Sequence, residues 1–73
     1  MALSTRNRLP GEITQVLKGE AAATVSIRVG DDQMVALITR ESADELGLES
    51  GQEVMVLVKA TDVMISTSGD DIA

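Results

Sequence analysis

Only one stretch of this 73-residue chain can form a helix, and it lies between two apolar runs that read as strands. Residues 39–48 open with Thr39 and Ser42, either of which can cap the free N–H groups of a first turn. Ser42 with Glu45 fits a capping box, and Gly47 suits the left-handed position that ends a helix. The flanking runs, residues 34–38 and 54–58, are apolar throughout. One short helix therefore interrupts a β-protein. A capped helix start is also rich in donors and partly positive, which makes it one wall of a candidate oxyanion site.

The remaining strands follow from alternation and turn chemistry. Residues 1–9 are polar, and Pro10-Gly11 marks a turn or strand entry. Residues 12–18 read as a strand ending at Gly19-Glu20. Ala23, Val25, Ile27 and Val29 alternate with polar neighbours, so one face is core and the other wet. Gly30-Asp31-Asp32 turns the chain into the third strand over 33–39. After the helix and a turn at 49–52 comes the fourth strand, then a break at 59–62 and a short fifth strand over 63–65. Residues 67–73 form an acidic tail expected to fray. This order predicts an all-β chain: a single domain over 1–73, built as a small five-stranded OB-type Greek-key barrel with one short helix between strands 3 and 4.

The third and fourth strands show no alternation. A strand apolar on both faces is buried on both, yet a sheet of this size has only one interior. The second face is expected to meet another subunit. Composition points the same way, because the chain has no Phe, Tyr, Trp or Cys. A domain this short buries only about 60% of its unfolded surface, and neither rings nor disulfides are there to compensate.

Composition also excludes functions. With no His and no Cys, the usual zinc, iron–sulfur and thiol chemistries are missing, and no directly coordinated metal or cofactor is expected. Twelve acidic against six basic residues give a net charge of −6, which opposes nucleic-acid binding. That field also repels free oxyanions at long range, so binding is expected to tighten as salt screens it. No apolar run approaches a membrane span and the N-terminus lacks a signal-peptide core. A cytoplasmic protein is expected, and the lack of Cys fits that compartment.

Lys59 is the most informative single residue, since it ends an apolar run where no solvated charge is required. A lysine whose stem lies along the strand end is the commoner use of such a position. Thr39 and Ser42 serve as caps more often than as ligands. Taken together, these residues with Ser4 and Arg6 form a set of hydroxyls, cations and a helix start, all donors. A fully deprotonated tetrahedral oxyanion offers only acceptors and suits such a pocket. Phosphate near neutral pH carries a proton that would find no acceptor there, so molybdate, tungstate or sulfate is favoured over it.

Three segments carry a resemblance: residues 4–11 (STRNRLPG), residues 38–43 (ITRESA) with Leu46-Gly47-Leu48, and residues 58–64 (VKATDVM). In order and spacing they resemble the molbindins, single-domain members of the Mop-like, or TOBE, family of molybdate-binding proteins. The resemblance implies an OB-type barrel, N-terminal segments shared between subunits, and a hexamer arranged as a trimer of dimers with oxyanion sites between chains. It implies that Ser4 and Arg6 supply a donor and a positive group, with Thr5 standing where the family's motif has Ala. Thr39 and Ser42 would give hydroxyl and backbone donors, and Lys59 and Ala60 a charge and a backbone N–H. The implied ligand is molybdate or tungstate, and the implied role is intracellular storage or homeostasis without catalysis.

Other classes leave traces too. Residues 46–54 (LGLESGQEV) resemble the loop of AbrB-type swapped-hairpin DNA-binding transcription factors, a reading the acidic balance opposes. Ser42 with Lys59 is a conceivable nucleophile–base pair. A module that senses the oxyanion for a fused regulator or transport ATPase is a further alternative.

Overall fold

The computed structural model describes residues 5–67, and for Thr5 and Arg6 the main chain only. Four strands are present: β1 Thr5–Lys18, β2 Ala22–Val29, β3 Asp32–Thr39 and β4 Glu53–Lys59. The helix α1, Arg40–Leu46, lies between β3 and β4, and a 3-10 turn, Ala60–Asp62, follows β4. The antiparallel sheet has the order β3-β2-β1-β4. Three strands joined in sequence with the fourth returning beside the first is the Greek-key arrangement.

β1 organises the sheet. Its first half, from Thr5 to Glu12, pairs with β4, and its second half, from Glu12 to Lys18, pairs with β2. Pro10-Gly11 therefore lies inside a 14-residue strand and is neither a turn nor a strand entry. The reason is tertiary: the end of β2 passes so close over Gly11 that a Cβ there would sit 2.7 Å from Ile27 Cγ2 and 2.9 Å from the Arg28 carbonyl. Only glycine lets the chain run straight beneath that crossing. A register shift at Thr14 adds a bulge, which bends β1 further. The loop before β4 closes on this bulge through Gly51 N–H to Ile13 O at 2.8 Å and Ile13 N–H to Gln52 O at 2.9 Å.

The two-residue hairpin loop between β2 and β3 has Gly30 at φ 62, at its first central position, where a positive φ is required. The helix begins as its sequence directs, with one alternative chosen. Thr39 is the N-cap, its hydroxyl accepting from Ser42 N–H at 3.0 Å, and Ser42 lies inside the first turn. Gly47 closes the helix at φ 63.

The core is Ile13, Val25 and Ile27, with Ala23 and Ala43 also buried. β2 alternates as its sequence predicts. On the two edge strands only alternate residues face inward, and the outward ones stay in the open: Val35 is 65% exposed, Leu37 74% and Leu57 60%. The inner face is open as well, with an apolar groove of about 460 Å³ between β3, α1 and β4 lined by Ile13, Ile38, Leu46, Leu48 and Val56. The expected fifth strand is not formed. Residues 63–65 pair with no other strand of the described chain, and Met64 and Ile65 are almost fully exposed. Their apolar, β-branched character alone does not make a strand without an edge to pair with. The tail expected over 67–73 lies, but for Thr67, outside the described residues.

Candidate functional site

The register of β1 sorts the candidate residues into two groups. Thr5 pairs with Lys59, and Ala60 follows directly as the first residue of the 3-10 turn, so these three meet at the start of β1. Thr39 pairs with Ala22 beside the Lys18–Ala23 pairing, which puts Thr39 and Ser42 at the far end of β1. The chain thus brings together residues 54 positions apart in one group and keeps the two groups at opposite ends of its longest strand. Ser42 and Lys59 consequently do not form a nucleophile–base pair within the chain. Ser4 lies outside the described residues.

At the β1–β4 end, a register shift between Thr5 and Asn7 leaves Arg6 in a bulge, and Asn7 Nδ2 donates to the Val58 carbonyl at 3.3 Å. Asn7 therefore ties β1 to β4 one residue before Lys59. Lys59 is exposed and forms no ion pair or side-chain hydrogen bond among the described residues. The Ala60 N–H falls in the first turn of the 3-10 helix, where backbone donors lack an intrahelical acceptor.

The α1 end is built differently. Besides accepting from Ser42 N–H, the Thr39 hydroxyl donates to Ser42 Oγ at 2.9 Å, so its own donor is used inside the cap. That leaves the proton of the half-buried Ser42 hydroxyl as the one this pair can offer outward. The cations beside them are occupied. Lys18 Nζ binds Asp44 at 2.7 Å, Arg40 Nε approaches the other Asp44 oxygen at 3.6 Å, and Arg40 Nη1 donates to Gly19 O at 3.1 Å. The Lys18 ammonium hydrogen bond holds the Asp44 carboxyl below its usual range; partial desolvation opposes this, and the charges of Lys18 and Arg40 add to it. This clasp fixes α1 to the β1–β2 hairpin and offers no free cation.

A second concavity, about 580 Å³ beside Pro10, Arg28, Gly30 and Glu53, contains none of the candidate residues. Its cation is neutralised, Arg28 Nη2 lying 2.6 Å from Glu12. Among the described residues no group of three or more acidic, His or Cys side chains is arranged to hold a metal ion. No helix among the described residues is long and apolar enough to cross a membrane. The residue that sequence reasoning passed over is Asn7; it stood within the N-terminal motif, but only strand register shows that it anchors the Lys59 end.

Comparison with known proteins places this geometry in a family. The TOBE domain matches residues 3–65. Molybdenum-pterin-binding protein 3 of Clostridium pasteurianum is 38% identical over 66 residues, covering 89% of this chain and 97% of the relative. A molybdate-binding protein from Sporomusa ovata superposes with a TM-score of 0.86 at 33% identity, covering 92% of this chain and all of that one. The cytoplasmic molybdate-binding protein ModG, in a structure with molybdate bound, superposes with a TM-score of 0.76 at 39% identity over 82% of this chain and 43% of its own. The motifs at 4–11, 38–43 and 58–64 and the curled Greek-key sheet agree with these matches, and the chain belongs to the TOBE-domain family.

Proposed function

We propose that this protein binds molybdate, or the closely similar tungstate, as a non-catalytic store or buffer in the cytoplasm. The observation that carries the proposal is its end-to-end likeness to a molybdate-binding protein, at a TM-score of 0.86. Site chemistry supports it. Ser42 has a hydroxyl proton to give, Lys59 an ammonium with no partner among the described residues and Ala60 a first-turn N–H, and all three are donors. Such a set suits an oxyanion with no proton of its own. Ser4, Thr5 and Arg6 are assigned to the site with Lys59 on the pairing of Thr5 with Lys59.

The ligand would be the oxyanion itself. A pterin is a flat heteroaromatic that proteins hold by stacking, and this chain contributes no aromatic side chain. The site is assembled between copies of the chain, in a hexamer arranged as a trimer of dimers. Two features support that assembly: the two donor groups stand at opposite ends of β1, and the edge strands expose Val35, Leu37 and Leu57. No observation favours the swapped-hairpin DNA-binding reading, since residues 46–54 form the end of α1 and its connection to β4 in the same sheet. Lys59→Ala is the test. It should weaken molybdate binding and leave the melting temperature unchanged; unaltered affinity would remove Lys59 from the site.

A further inference from the structure

The cations of this acidic chain are unevenly committed. Of the five whose side chains are described, Lys18 and Arg40 are held by Asp44, and Arg28 by Glu12. Arg8 and Lys59 form no ion pair or side-chain hydrogen bond among the described residues, and both are exposed. These two are neighbours. Arg8 stands opposite Leu57 in the β1–β4 ladder, and Lys59 is two positions further along β4. Opposed residues and residues two apart share a face, so Arg8 and Lys59 project from the same side as a diagonal pair, about 7–8 Å apart at the backbone.

Next to them on that side of the ribbon come Leu57, Pro10 and Met55, none of them acidic; the carboxylates on it, Glu12 and Glu53, stand opposite each other at the far end of the ladder, and Glu12 is held by Arg28. Asp62, in the 3-10 turn beyond Lys59, makes no ion pair among the described residues. Among the described residues, a protein of net charge −6 thus keeps two unpaired cations near each other at one end of one strand pair. Like charges placed together cost stability unless an anion comes between them.

We propose that Arg8 is a further cationic residue of the oxyanion site, beyond Arg6 and Lys59, acting with Lys59 on a tetrahedral dianion. This rests on the proposed function and adds to it a residue outside the donor set considered so far. Arg8 supplies a local positive field against the repulsion of the whole chain. At about 7 Å in water, one unit charge attracts a dianion enough to raise affinity roughly five- to tenfold, an advantage that added salt removes.

The test is calorimetric titration of wild type, Arg8→Gln, Arg8→Lys and Arg28→Gln with molybdate, at low salt and at about 1 M salt, where the screening length falls to about 3 Å. Solution mass and melting temperature are recorded for each. Arg8→Gln should bind five- to tenfold more weakly at low salt and match wild type to within twofold at high salt. Arg8→Lys should stay within threefold of wild type. Arg28→Gln, which makes the same change in net charge at a site already neutralised, should change affinity less than twofold. Wild-type binding with Arg8→Gln unchanged at low salt, or an equal loss in Arg28→Gln, overturns the inference and leaves the proposed function standing. A wild-type chain that takes up no oxyanion overturns both.

Discussion

The two ends of β1 hold similar residue types in opposite states. At the α1 end both cations have a partner: Lys18 and Arg40 are held by Asp44, and the Thr39 hydroxyl is spent on Ser42. At the β1–β4 end Lys59 has none among the described residues, and the strand bulges at Arg6 just where Lys59 pairs. The contrast separates groups that hold the fold from groups left open to a ligand, and at the α1 end only the Ser42 hydroxyl proton is of the second kind. Residues already satisfied hold a shape, and those left unsatisfied at a fixed place are available to a ligand.

Variants at the two ends should therefore fail in different assays. The largest effect on binding is expected from Lys59→Ala, about 1.5–3 kcal/mol, the range for a hydrogen bond to a charged group. Its melting temperature should stay within error of wild type, and a large drop would make Lys59 structural and erase the contrast. Gly11→Ala, at the crossing between the two halves of β1, should destabilise by about 1–3 kcal/mol in denaturant titration, because its methyl meets Ile27 and the Arg28 carbonyl. Since the flaw lies between the ends, binding should fall only as far as the folded fraction does.

Thr39→Ala removes the cap of α1 and should cost about 1 kcal/mol in stability. Thr39→Ser keeps the hydroxyl and should recover most of it; failure to recover would mean that the methyl, not the cap, matters. The smallest effect belongs to the exposed clasp. Asp44 has its carboxyl lowered from the usual 3.8, so its contribution is complete above that value and is lost as pH falls through the folded value. The melting temperature of wild type should exceed that of Asp44→Asn near neutral pH, and the gap should close below about pH 4. A gap that stays constant with pH would deny the clasp its charge.

Features set by neighbours in sequence were legible. The helix, its glycine stop, the alternation of β2 and the Greek-key class followed from local pattern and element order. Features set by distant neighbours were not. Pro10-Gly11 looks like a turn until β2 is seen to cross it, and residues 63–65 look like a strand although no edge receives them. For the candidate site, the sequence offers donor types but not their grouping. Thr5 meets Lys59, and Thr39 stands apart from both, because of a strand register that no short motif encodes.

The most direct test of the account is calorimetric titration of the purified protein with molybdate, tungstate, sulfate and phosphate, with its mass in solution measured alongside. Tight binding of molybdate and tungstate, weak binding of sulfate and none of phosphate, on an oligomer, is the predicted result. A stable protein that binds none of the four, or binds phosphate as well as molybdate, would contradict a donor-only site for a deprotonated oxyanion.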